Sequence, residues 1–252
     1  MRAFIKNFMS EIYKINHSKL LWIHVIIPAL VIGVFAIYYK YSAWDEFDKI
    51  SAYIQVLALS FPFLIGLITV ISCEMEEQAG NFQFLLISQS KPRAHISKLI
   101  ALLFYGLPAT IFAVVGFGII FNLQGNHILK ILIYFQLALI VFVSTLPIYL
   151  IHYLIAYNAG KSAGIITGIV GSLLSALLLT GLGDGIWNIL PWGTLVRFCS
   201  IFLESNKMQV SIFQYPLVFK AVINLIITST VLMIVLVIWA KKWDGNDSLG
   251  DK

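Results

Sequence analysis

Six apolar runs of roughly twenty residues each, set apart by short polar segments, decide most of what this chain can become. A run of that length crosses the hydrocarbon core of a bilayer as a helix, and in lipid only helices and closed barrels satisfy their own backbone. Barrel strands need only about ten residues, so these runs are helices. The expected fold is an all-α membrane protein with six transmembrane helices at 20–39, 52–73, 99–121, 129–156, 162–182 and 219–240. Only 12% of the 252 residues are charged and 60% are hydrophobic, against about 25% charged in soluble domains. The runs use most of the length, so a single transmembrane domain over 1–252 is expected, without a separate soluble one.

The segments between the runs differ in kind. Residues 1–19 put Phe4, Ile5, Phe8, Met9, Ile12 and Ile15 on one helical face and Arg2, Lys6, Asn7, Glu11 and Lys14 on the other, the pattern of an interfacial helix lying among headgroups. The first span should stay in the mature protein, because the run after this helix is too long for the core of a cleavable signal. Residues 74–98 form the one long charged insert. Residues 183–216 are broken by glycine and rich in aromatics, so they are expected to lie in, or dip into, the interface as a re-entrant stretch. A polar tail, 241–252, ends the chain.

Orientation follows from Lys and Arg. With the N-terminus inside, eleven of the 17 fall on the inner side and six on the outer, so the positive-inside rule puts both termini and the 74–98 loop in the cytoplasm. The net charge of +5 sits beside apolar runs rather than in a basic patch, which argues against nucleic acid. Apart from Lys130 and Lys220 at the outermost ends of their runs, no Asp, Glu, Lys or Arg lies inside the six runs, which disfavours ion-coupled transport and voltage sensing. The histidines are scattered and make no metal set. Cys73 and Cys199 fall on opposite sides of the membrane and cannot pair within one chain. Ala159-Gly160-Lys161-Ser162 resembles the end of a phosphate-binding loop, but Ile155 occupies the first glycine position and a span precedes it, so no nucleotide site is read there.

Two patterns point to contacts. In the loop, Gln78, Phe82, Leu85, Leu86 and Gln89 share one helical face, which would present apolar knobs either to a docking partner or to the inner leaflet. Gly160, Gly164, Gly168, Ser172 and Ala176 recur every four residues, a small-residue strip for close helix packing against another span or a dimer partner.

The run E-M-E-E-Q-A-G-N-F-Q-F-L-L followed by S-K-P-R-A-H-I-S-K-L resembles the segment between the second and third spans of ABC-2 type permeases, most closely the lantibiotic-immunity permease subunits. The likeness extends to the whole layout, but its specific motif is this loop. It implies an ABC-2 exporter architecture in the bacterial cytoplasmic membrane, not itself an enzyme and without cofactor on this chain. ATP and Mg would be held by a partner, a cytoplasmic ABC ATPase, and a second permease subunit, homologous or identical, would complete the assembly. Glu74, Glu77, Gly80, Asn81, Phe82, Leu85 and Leu86 would form the coupling region that meets the ATPase, with Arg93 and Lys98 as its basic turn. The implied role is self-immunity by expelling a cationic lantibiotic peptide, and Asp184, Trp187, Trp192 and Glu204 in the outer stretch are the expected cargo contacts. A permease of the same build for another antibiotic or a lipid-linked substrate, or a passive protein that sequesters peptide, would share most of these features. An intramembrane protease with an E-E-x-x-x-R motif fits poorly, because Asn81 stands where the arginine belongs.

Overall fold

The computed structural model describes residues 2–245; Met1 and the 246–252 part of the expected tail lie outside the described residues. The described residues form eight α-helices and no strand: α1 (Arg2–Asn16), α2 (Lys19–Tyr41), α3 (Glu46–Gln78), α4 (Gln83–Leu86), α5 (Lys91–Leu123), α6 (Ile131–Leu179), α7 (Pro191–Met208) and α8 (Val218–Lys242). Five of them, α2, α3, α5, α6 and α8, are long and apolar enough to cross a membrane. Local chemistry sets several starts: Ser18 accepts from Leu20 N–H at 3.1 Å and Asp45 from Phe47 N–H at 3.1 Å, each satisfying a donor left over at a helix N-terminus.

The spans expected at 129–156 and 162–182 emerge as one element of 49 residues. A straight helix of that length would run about 74 Å, more than twice a bilayer core of about 30 Å. It is not straight: Gly160 leaves helical geometry at φ 83° and ψ −176°, a region open essentially to glycine alone, so the loop expected between two spans shrinks to one residue. The contacts with α3 show that the chain reverses there. Along the first arm, Gly66 faces His152 and Cys73 faces Ala156, in the same sense as α3. Along the second, Val70 faces Gly164, Gly66 faces Gly168 and Phe63 faces Ser172, in the opposite sense.

The small-residue strip makes this packing possible, and the neighbour that Gly164, Gly168 and Ser172 receive is α3 of the same chain. A Cβ on Gly164 would come within 2.5 Å of Val70, and one on Gly168 within 3.2 Å of Phe63 backbone. Ser172 Oγ accepts the Phe63 N–H at 3.2 Å, beside the mid-helix Pro62, where the ladder is disturbed. Of the five strip residues, Gly160 serves the turn and Ala176 is exposed.

Both α3 and α5 outrun their expected spans, so most of the expected 74–98 loop is helix and the connection proper is 79–90. The stretch 183–216 also differs from expectation. It contains a continuous 18-residue helix, α7, whose Leu195, Val196, Cys199 and Leu203 are buried in the main core, with α6 and α3 as its chief neighbours, while Phe198 packs on Trp187 and α8. Proline at its first helical position and the Arg197 clamp on Leu178 O, Thr180 O and Asp184 hold its start. The core between α3 and α5 includes an aromatic pair: Tyr53 stacks on Phe117 at 3.7 Å and donates to Ala113 O.

Candidate functional site

At the end of the bundle that carries both termini, four charged side chains meet inside the protein. Glu11 from α1, Glu76 from α3 and Lys98 from α5 are each 2% exposed, and Lys14 from α1 is part-buried beside them. Lys98 donates to Glu11 and, at 2.8 Å, to Glu76. Lys14 donates to Glu76 at 2.6 Å and to Glu11 at 2.8 Å. Two acids and two bases alternate around a closed ring, so net charge cancels and each buried carboxylate keeps two cationic donors. As a unit the ring is satisfied, and moving one of its helices away would leave uncompensated buried charge.

Beside the ring lies an aromatic box. His95 Nδ1 is 2.8 Å from Tyr153 OH, and its ring meets Trp243 at 4.9 Å, Trp239 at 5.1 Å and Tyr157 at 5.7 Å. Trp243 donates to Tyr157 O at 3.1 Å and Trp239 to Asn158 at 3.1 Å, which ties the end of α8 to the last turn of the first α6 arm.

The 79–90 connection plugs into this box. Gly80, Asn81 and Phe82 all take positive φ (141°, 48° and 64°), and the turn is closed by Asn81 N–H on Glu77 O and Phe82 N–H on Glu76 O. A left-handed aromatic residue is strained by about 1–3 kcal/mol and persists only where its surroundings hold it. The holding here is burial: Phe82 is 2% exposed, edge-on to Trp243 at 5.4 Å. Phe84 takes Lys14 of the ring over its face at 4.2 Å. Lys91 donates to Trp243 O at 2.8 Å and pairs with Asp244 at 2.7 Å. The connection thereby touches α1, α3, α5, α6 and the end of α8 together.

The residues expected to meet a partner through this loop divide. Phe82 and Leu85, expected as outward knobs, are buried, and Leu86 is half-buried, because the αL turn rotates that face into the bundle. Glu74 and Glu77 reach Lys161 at 3.5 and 3.1 Å across the Gly160 turn. Lys98 belongs to the ring rather than to a surface turn, whereas Arg93 is exposed. What the loop does expose is Ile87, at 81%, with Phe84. These two, with Phe4, Lys6, Ser90 and Arg93, line a groove of about 320 Å³ between α1 and the connection. On the opposite end, the four expected cargo contacts do not form one site. Asp184 is paired with Arg197 at 2.7 Å, Trp187 is buried against Phe198, Trp192 is half-buried and Glu204 is exposed.

The ring itself was hidden in the sequence. Glu11 and Lys14 read as the wet side of an amphipathic helix, yet Glu11 faces inward while Ile5, Met9 and Tyr13 are exposed. An i, i+3 acid–base pair on α1 was the only local signal.

Residues 8–175, from α1 into the second arm of α6, match the model of a family described as ABC-2 family transporter protein. No curated protein and no solved structure matches the chain.

Proposed function

Since the chain belongs to the ABC-2 family of transporter proteins, we propose that it is the membrane-spanning permease subunit of an ABC exporter, driven by ATP hydrolysis on a separate cytoplasmic ATPase. The observation that carries this reading is the strained Phe82 turn seated in the aromatic box beside the charge ring, because a push on one connection would reach five helices at once. The ATPase docks in the groove of Phe4, Lys6, Phe84, Ile87 and Arg93, and Phe82 and Leu85 convey its movement inward. Glu74, Glu77, Gly80, Asn81 and Leu86 shape and brace that contact.

In this reading α6 crosses the membrane twice, so the chain makes six crossings, with both termini inside and α1 along the inner interface. The excess of Lys and Arg at the terminal end supports that orientation. A second permease subunit completes the path, and the cargo is a lantibiotic peptide expelled from the membrane of a bacterial producer, as the loop motif resembles.

Docking and cargo are tested separately. The tagged chain, purified from native membranes in mild detergent, should carry an ATPase subunit, and Ile87→Asp with Arg93→Glu should release it while the chain stays inserted. Unchanged co-purification refutes the groove. Cells expressing chain and ATPase should resist a lantibiotic and lose resistance when the ATPase cannot hydrolyse ATP. Equal sensitivity with and without the transporter across a lantibiotic panel rejects that cargo.

A further inference from the structure

At the end of the bundle away from the termini, a polar cavity of about 510 Å³ opens between the end of α2, the start of α3 and the end of α5, a volume typical of small-ligand sites. Tyr39, Lys40, Ser42, Lys49, Gln124 and Asn126 line it. Lys49 is only 9% exposed, and neither it nor Lys40 forms an ion pair or a side-chain hydrogen bond among the described residues. Two ammonium groups lining one cavity without a counter-ion repel each other, and a bound anion would remove that repulsion. Among the described residues no acid lines the cavity: Asp45 caps the start of α3, Glu46 and Asp48 sit in its first turn, and none pairs with either lysine.

The remaining lining is donor-rich. Gln124 and Asn126 each use one amide N–H on a backbone carbonyl, Ala36 O and Phe121 O, and each keeps a second. Ser42 Oγ accepts from Trp44 N–H, which leaves its own hydrogen to donate. Tyr39 donates to Lys49 O at 2.7 Å and holds the α3 side of the cavity in place. Two ammonium groups, two amide donors and a hydroxyl suit a compact anion with several oxygens, and lysine is a point-charge partner for phosphate. Tyr38, Tyr41 and Trp44, next in sequence to lining residues, are exposed, as aromatic residues are at headgroup depth.

We propose that this cavity binds a phosphate group carried on a lipid headgroup, gripped by Lys40 and Lys49, so that α2, α3 and α5 are joined through the lipid. The site uses no residue of the ring or the docking groove, so it stands whether or not the transport reading does.

The test titrates the full chain, delipidated in a neutral detergent, with dihexanoyl phosphatidylglycerol, dihexanoylglycerol or inorganic phosphate, and counts bound ligand by native mass spectrometry. The phospholipid should bind and dihexanoylglycerol should not. Lys49→Gln and Lys40→Gln should each weaken binding about tenfold, as loss of one charge-assisted contact does, while Lys49→Arg keeps it. Exposed Lys40 makes no contact whose loss would unfold the protein, so its variant remains readable if Lys49→Gln aggregates. Equal phospholipid binding by the wild type and Lys40→Gln overturns the proposal, as does equal binding of dihexanoylglycerol. Inorganic phosphate that binds as tightly as the phospholipid, with the same lysine dependence, overturns the lipid assignment and makes this a free-phosphate site.

Discussion

Replacing Lys98 with methionine removes one of the two cations in a ring whose two carboxylates are each 2% exposed. Glu11 and Glu76 then share Lys14 alone, and the buried cluster changes from neutral to a net negative charge. Breaking a buried pair on one side costs about 3–5 kcal/mol. At roughly 2–4 °C per kcal/mol for a chain of this size, the detergent-solubilised protein should melt about 6–20 °C lower. The control is built into the geometry. Glu11→Gln on the Lys98→Met background leaves Glu76 with Lys14 at 2.6 Å, a balanced pair, and should recover most of the loss. The four melting temperatures of a double-mutant cycle give the coupling between Glu11 and Lys98, expected at about 1–3 kcal/mol. A Lys98→Met protein that melts within error of the wild type, or a double variant no better than the single, refutes the claim that charge balance holds α1, α3 and α5 together.

Other expectations rest on single contacts. Phe82→Ala empties the aromatic box and should destabilise by about 3–5 kcal/mol in thermal unfolding, whereas Ile87→Asp, at an exposed position, should leave melting unchanged and alter only ATPase co-purification. Gly118→Ala puts a Cβ within 2.6 Å of the buried Tyr134 ring and should cost about 1–3 kcal/mol. Gly33→Ala, with nothing within 4 Å of its Cβ, should be neutral or stabilising in the same assay. Gly160→Ala forces a side chain onto a glycine-only backbone and should lose about 1–3 kcal/mol; a melting curve identical to the wild type would count against the sharp reversal in α6.

The sequence by itself determined the solvent of this protein and the class of its fold. Long apolar runs without charge can only be spanning helices, and the positions of α2, α3, α5 and α8 follow from where those runs lie. The loop motif was legible enough to point to the family that residues 8–175 match. Tertiary structure decided the rest. Periodicity shows that a residue lies on a face but not what that face meets. Phe82 and Leu85 therefore read as exposed knobs, although an αL turn buries them. Glu11 likewise read as solvated, although Lys98, 87 residues away in sequence, takes it inside. The strip from Gly160 to Ala176 announced close approach without naming the neighbour; the reversal at Gly160 chose α3. Charge pairing across the bundle depends on which helices lie side by side, and that is set by packing of the whole chain rather than by any window of it.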